Sequence, residues 1–280
     1  MRGWPASICR PDAGSGRPAM ATRIIGMAAL LLLAGTLDAS LASAGEKVPP
    51  LVNLRDIAPE IRIDMRYAGA NNFTGAPVEG YAAGECLLRR PVAEALARVA
   101  EDLAGLTPPL ALLVYDCYRP ERAVRAFAAW ARRPGGESRS FHPRIDKRDL
   151  FRRGYIAARS GHSRGTAVDL TLMRADQSAW VPAAGASTAI GSDCTAEKSL
   201  RPDDIGVDMG TAFDCFDERS HTHSAGLTGE QARWRRLLES AMTRRGFVNY
   251  SREWWHFSYP AADDGRAFDI PITARHPAAR

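Results

Sequence analysis

The 280-residue sequence is short of the features that mark several protein classes. Beyond residue 44 it holds no apolar stretch of the roughly 20 residues needed to cross a bilayer, so stable membrane insertion is not expected. It carries no internal repeat and no long low-complexity tract, which argues against solenoids and disordered arrays. None of its five cysteines belongs to a CxxC pair, so zinc knuckles and dithiol redox motifs are poor readings. Charge of either sign is not concentrated. The chain has 37 basic and 32 acidic residues, and setting aside residues 1–44, with Arg2, Arg10, Arg17, Arg23, Asp12 and Asp38, leaves an excess of only +3. That is too weak and too scattered for a nucleic-acid partner. The pairs Arg132-Arg133, Arg152-Arg153 and Arg235-Arg236 read as solvated faces.

What is present first is a leader. Arg23 precedes the apolar run Ile24–Ala34, which suits a secretory signal better than a membrane span. Ala42-Ser43-Ala44 supplies the small-x-small pattern of a cleavage site. Met20 lies three residues before Arg23 and is a candidate true start. A buried N-terminal helix is the competing reading. No cysteine stands at the cleavage point, so a lipid anchor is not expected. The expected organisation is therefore a leader over residues 1–44 and one exported domain over residues 45–280, periplasmic or secreted. With 45% hydrophobic and 25% charged residues the composition is ordinary for a globular domain. The exported part keeps Cys86, Cys117, Cys194 and Cys215, which suggests two disulfides. Of three possible pairings, Cys86–Cys117 and Cys194–Cys215 are favoured because each joins neighbours in chain order.

Along the domain, residues 45–50 read as a short linker. Residues 91–105 open with Pro91 and place Val92, Leu96, Val99 and Leu103 on one helical stripe. Leu110–Tyr115 reads as a buried strand. Pro120 starts a second helix with Val124, Phe127 and Ala131 on one face, which sets Arg119 at a strand-to-helix junction. Thr166–Met173 reads as an alternating strand. Residues 182–207, rich in Gly, Ser, Asp and Pro, read as a surface excursion that a Cys194–Cys215 bridge would close. Thr228 and Gln231 form a capping box ahead of a helix that turns Trp234, Leu237, Leu238 and Met242 inward, and Gly246 is placed to end it. Phe247–Tyr250 and Trp254–Tyr259 read as a closing pair of strands. Strands and helices interleave without a regular βαβ period. The expected fold is α+β: a single domain with a small, mainly antiparallel sheet flanked by helices.

Two segments carry the chemistry. Ser160-Gly161-His162-Ser163-Arg164-Gly165-Thr166-Ala167-Val168-Asp169 puts an imidazole in a glycine-bracketed turn and, seven residues on, a carboxylate on a strand. Glu253-Trp254-Trp255-His256 adds a second imidazole behind another carboxylate. Two His and one carboxylate make a three-ligand zinc set that leaves the fourth tetrahedral position open, as catalytic sites do. Glu253 is then the candidate general base. Residues three apart on an ideal strand face opposite ways, so Glu253 has to lie in a turn before the strand or on a bulge. His162 alone could be a loop histidine, Asp169 alone a turn residue and His256 alone a core histidine. It is the combination that points to metal. An iron facial triad uses the same ligand types, but its His-x-Asp spacing is absent. His221 and His223 are rival ligands in a polar stretch and read as rim residues; His142 and His276 have no partner pattern. Arg119, in Asp116-Cys117-Tyr118-Arg119-Pro120, is either an oxyanion stabiliser or half of a structural ion pair with Asp116 or another acid.

These residues resemble a known family. The segments match the SxHxxGxAxD and ExWH motifs of the D-alanyl-D-alanine dipeptidases of the vancomycin-resistance type, within the wider zinc D,D-peptidases. The likeness runs from about Leu51 to about Tyr259. It includes Tyr67-Ala68, Asn72–Gly75 and Gly80-Tyr81, the arginine motif around Arg119, and Met209–Thr211, Phe213-Asp214 and Asp217–His221. The resemblance implies one Zn2+ per chain on His162, Asp169 and His256, Glu253 as base and Arg119 as transition-state stabiliser. It implies that Tyr81, Ser160 and Asp214 line a pocket for a small dipeptide. Two rivals stand beside this reading: a D,D-carboxypeptidase trimming peptidoglycan stems, for which an open groove would speak, and a zinc-containing wall-binding module, which would need neither Glu253 nor Arg119.

Overall fold

The computed structural model describes residues 51–134, 140–177, 193–201 and 205–275. The expected leader, the linker over residues 45–50, His276 and much of the excursion over residues 182–207 lie outside them.

Among the described residues seven strands form two sheets. β1 (Leu51–Asn53) and β3 (Leu87–Arg89) make a small antiparallel pair. The main sheet holds β2 (Arg62–Ile63), β4 (Leu110–Asp116), β5 (Ala167–Arg174), β6 (Val248–Asn249) and β7 (His256–Ser258), in the order β2-β4-β5-β7-β6. Only the β2–β4 pairing is parallel. With the three α-helices of the described residues, α1 (Arg90–Ala104), α2 (Glu121–Arg132) and α3 (Gly229–Arg244), the architecture is the expected α+β.

α1 begins with Pro91 in its first turn, where a missing N–H costs nothing. Its buried stripe of Val92, Leu96, Val99 and Leu103 packs on β4 and on α3. The Thr228 hydroxyl accepts from the Gln231 N–H while the Gln231 side chain accepts from the Thr228 N–H, so the capping box starts α3 as read from the sequence. Gly246, at φ +91°, then carries the chain out of the helix in a conformation that costs other residues a steric penalty. Trp234, Leu238 and Met242 are buried and Leu237 is half-buried. Arg235 departs from the solvated face expected of the Arg235-Arg236 pair. It is buried and donates to the carbonyls of Met209 and His221, which ties α3 to the loop before it.

β5 also departs from simple alternation, because Ala167–Met173 is buried throughout. The physical reason is position. β5 is central in the sheet, between β4 and β7, with α3 packed on it and Asp169 facing the cavity. Both favoured disulfides are present, Cys86–Cys117 and Cys194–Cys215. The second holds the described end of the excursion beside residue 212, where the Ala212 N–H donates to the Cys194 carbonyl. Among the described residues no helix is long and apolar enough to cross a membrane.

Candidate active site

Three adjacent strands set the site. In the ladders, Asp169 on β5 stands directly opposite Asp116 on β4 and His256 on β7. Directly paired residues project on the same face of a sheet, so three polar side chains lie in a row. The pairing with Asp116 depends on an irregularity. Register shifts between Val114 and Asp116, so Tyr115 is the extra residue of a bulge, and the bulge re-aims Asp116 toward Asp169.

His162 reaches this row from a 3-10 turn over His162–Arg164. Gly165 closes the turn at φ +69°, and a Cβ there would come within 2.4 Å of the Leu51 side chain, so both the backbone conformation and the close approach favour glycine. The His162 Nδ1–H donates to the Cys117 carbonyl at 2.6 Å. A carbonyl can only accept, so the proton sits on Nδ1 and the Nε2 lone pair is free. Nε2 lies 3.1 Å from His256 Nδ1 and 3.3 Å from Asp169 Oδ1, and those two atoms are 2.9 Å apart. A tetrahedral ion with bonds of ~2.0–2.1 Å needs ligand atoms separated by about 3.3 Å. The triangle therefore fits one small cation with little adjustment, and the donor set is one that zinc accepts. His162 and Asp169 are buried, and the His256 side chain is 18% exposed, which leaves one side open.

Asp169 divides its oxygens between two tasks. Oδ1 faces both imidazoles, while Oδ2 takes a contact of 3.4 Å from Arg119 Nη2. Burial pushes its carboxyl up, but the two histidines outweigh that and hold it well below the usual carboxylate range. Arg119 also donates through Nε and Nη2 to Asp116 Oδ2, at 2.9 and 2.8 Å. The ion pair with Asp116 weighed in the sequence is thus real, and it aims the guanidinium along the cavity rather than away from it. The guanidinium lies over the rings of Tyr67 and Phe127, 5.1 and 5.0 Å from their centroids.

Glu253 lies in the turn before β7, one of the two placements its spacing from His256 required. Its backbone is pinned: the N–H donates to Tyr250, and the carbonyl accepts from His256 N–H and the Asn249 amide. Its half-buried carboxylate has no hydrogen bond or ion pair among the described residues and faces the cavity. Burial, then the charges of Asp169 and Asp214, push its carboxyl well above the usual range, against the pull of Arg119.

The cavity, about 290 Å³, is lined by His162, Asp169, His256, Glu253, Arg119, Ser160 and Asp214, with Val124 and Phe127 from α2 and with Tyr67, Tyr155 and Trp255 as aromatic walls. Asp214 is buried, accepts from the Tyr67 hydroxyl at 2.7 Å, and takes φ +58°. That backbone conformation is unusual outside glycine but within reach of aspartate, and Cys215, bridged to Cys194, anchors the next residue. Burial, then Asp169, push the Asp214 carboxyl up to about 8. The Ser160 hydroxyl accepts from the His162 N–H at 3.2 Å.

Tyr81 is placed differently from the other residues singled out. It does not line the cavity; its hydroxyl donates to Asp116 Oδ1 at 2.7 Å from behind. His221 and His223 stay apart from the triangle: His221 meets the Tyr155 hydroxyl at 3.1 Å, and exposed His223 meets Glu239. His142 is buried, with Nδ1 on the Ile145 carbonyl. Tyr67 and Asp116 stood in the sequence only within the segments that carry the resemblance, Asp116 also as a candidate partner of Arg119; their contacts with Asp214 and with Arg119 and Tyr81 emerge from the fold.

Comparison with known proteins gives the family. A family model described as D-ala-D-ala dipeptidase matches residues 47–187 and 186–273. A D-alanyl-D-alanine dipeptidase of Enterococcus faecium is 37% identical over 78% of this chain and 96% of its own length. One from Streptomyces coelicolor is 36% identical over 78% and 95%, and one from Escherichia coli 33% identical over 76% and 86%. The chain belongs to the D-Ala-D-Ala dipeptidase family of peptidases.

Proposed function

We propose that this protein is an exported zinc dipeptidase that hydrolyses free D-Ala-D-Ala to two D-alanines. The observation that carries the reading is the juxtaposition, in one small cavity, of the His162–Asp169–His256 triangle, the unpartnered carboxylate of Glu253 and the buried carboxylate of Asp214. In this reading His162 Nε2, Asp169 Oδ1 and His256 Nδ1 hold one Zn2+. Bound there, zinc supplies Lewis-acid activation of water and of the peptide carbonyl.

The chain's own residues do the rest. Glu253 takes a proton from the attacking water and returns it to the leaving amine; its carboxylate faces the cavity without a partner among the described residues. Arg119, held by Asp116 and already desolvated, stabilises the negative charge that develops on the carbonyl oxygen. Asp214 receives the substrate ammonium, with Tyr67 fixing its orientation. Ser160 lines the same cavity. A volume of about 290 Å³ lies at the small end of ligand pockets, which run ~300–1,000 Å³, and matches a dipeptide better than a wall polymer. That, with an acid for a free amine, favours the dipeptidase over the carboxypeptidase, and Glu253 with Arg119 favours an enzyme over a binding module.

Export rests on the leader pattern of residues 1–44 and on two disulfides, which persist in oxidising compartments. The deciding assay is initial rate on free D-Ala-D-Ala beside an N-acylated stem peptide, with and without chelator. The proposal expects chelator-sensitive cleavage of the dipeptide alone. Preference for the acylated peptide would transfer the function to the carboxypeptidase reading.

A further inference from the structure

A free dipeptide is a zwitterion, and the proposed function gives a partner to only one of its ends. Its carboxylate needs a cation. Among the described residues, and apart from the two histidines of the metal triangle, two cationic side chains line the catalytic cavity, Arg119 and Arg159. Arg119 is committed, since it bridges Asp116 and Asp169. Arg159 makes no hydrogen bond or ion pair among the described residues and is exposed. It directly precedes Ser160.

A second cavity fixes the end of the site to which Arg159 belongs. That cavity, about 540 Å³, shares Val124, Arg159 and Ser160 with the catalytic one and adds Arg125, Ser163 and Arg164. Neither Asp214 nor Glu253 lines it. Arg159 therefore stands at the junction of the two cavities, of which Asp214 lines only the first. Its competitors there are occupied: Arg125 pairs with Asp269 and Arg164 with Asp263.

We propose that Arg159 is the specificity residue for the substrate's C-terminal carboxylate, so that the dipeptide is read by opposite charges at its two ends, Asp214 for the ammonium and Arg159 for the carboxylate. The inference rests on the dipeptidase reading. A guanidinium matches a carboxylate by two parallel N–H donors, and charge-assisted bonds of this kind are the strong ones. Because the contact is the same in ground and transition states, Arg159 acts on binding: its loss raises KM and leaves kcat nearly as it was.

The test compares D-Ala-D-Ala with its C-terminal amide, in the parent, Arg159→Ala and Arg159→Lys, each loaded with zinc. The parent should favour the free carboxylate, and Arg159→Ala should raise KM for D-Ala-D-Ala roughly 10- to 100-fold, with zinc content unchanged. In that variant the acid and the amide should become nearly equivalent, and Arg159→Lys should restore part of the preference. An Arg159→Ala protein that keeps the full preference for the acid overturns the assignment. Calorimetric binding of both compounds in a Glu253→Gln background separates this from the fate of the dipeptidase reading. A carboxylate preference that depends on Arg159 supports the assignment even if the parent does not cleave the dipeptide. Equal binding of acid and amide with Arg159 intact, or no binding of either, overturns it.

Discussion

His162 donates through Nδ1 to the carbonyl of Cys117 at 2.6 Å, and Cys117 is bridged to Cys86. The disulfide thus braces the carbonyl that selects the tautomer of the imidazole. The return contact runs from the Arg119 N–H to the His162 carbonyl at 3.2 Å, so the 117–119 segment and the His162 turn hold each other. Groups that orient a metal-binding imidazole typically affect metal affinity by ~10–100-fold. The Cys86→Ala/Cys117→Ala double variant is expected to lose zinc to a competing chelator at correspondingly lower chelator concentration. The measurement is chelator competition on protein shown by circular dichroism to be folded. Unchanged zinc affinity would mean that the disulfide serves stability alone.

Arg119→Ala should keep zinc, because Arg119 touches only the Asp169 oxygen turned away from the triangle. It should lose turnover by about 10²–10³-fold, on the order of 3–4 kcal/mol, as for an oxyanion donor. It also strips Asp116, which is fully buried, of its main counter-charge. Arg119→Lys keeps the charge but cannot span Asp116 and Asp169 with the same fork, so it should recover stability more than rate. Zinc analysis, thermal melts and kcat on one set of variants distinguish these effects.

Asp214 provides a pH signature. In the folded chain its carboxyl is pushed from the usual 3.8 up to about 8, chiefly by burial. A raised folded pKa means that the folded protein holds a proton that the unfolded chain has released. The stability linked to Asp214 is therefore full below about 3.8 and is lost as pH rises through about 8. In metal-free protein, Asp214→Asn should gain stability relative to the parent as pH rises from 4 to 8, by more than ~1 kcal/mol at the upper end. The same variant should bind the dipeptide weakly. A stability difference that stays flat with pH would contradict the placement of a buried, ionisable Asp214.

The parts of the site that were legible in the sequence are those whose chemistry is local. His162 and Asp169 sit in one turn-and-strand segment, and Glu253 and His256 in another, so their types and spacing declare a metal and a base. Strand periodicity alone required Glu253 to lie in a turn before the strand or on a bulge, and the turn is what forms. Asp116, Tyr67 and the true place of Tyr81 were not legible in the same way. Asp116 reaches the row through a one-residue bulge, which spacing does not announce. Tyr67 and Tyr81 act through hydroxyls that meet Asp214 and Asp116 across 147 and 35 residues of chain. In the fold, the α1 stripe and the α3 capping box were readable because they are periodic or reciprocal. β2 was not, since two residues pairing in parallel with β4 leave no pattern. Arg235 misled because a charge pair on a helix reads as solvated until a carbonyl-rich loop packs over it.

The export reading makes a separate claim about the mature protein. Its N-terminus should lie near Gly45, and the native protein should show no free thiol among Cys86, Cys117, Cys194 and Cys215. N-terminal sequencing and thiol titration of protein from the producing cell check both. An intact leader, or four titratable thiols, would place the protein elsewhere.

The central claim is that Glu253 moves the proton while His162, Asp169 and His256 alone hold the metal. Glu253→Gln is nearly isosteric and cannot accept that proton, so the measurement is its zinc content beside its initial rate on free D-Ala-D-Ala. The account predicts one zinc per chain, as in the parent, and a rate lowered by at least ~10²–10⁴-fold. A variant that loses its zinc would make Glu253 a ligand, and one that turns over at the parental rate would put the base elsewhere; either result contradicts the account.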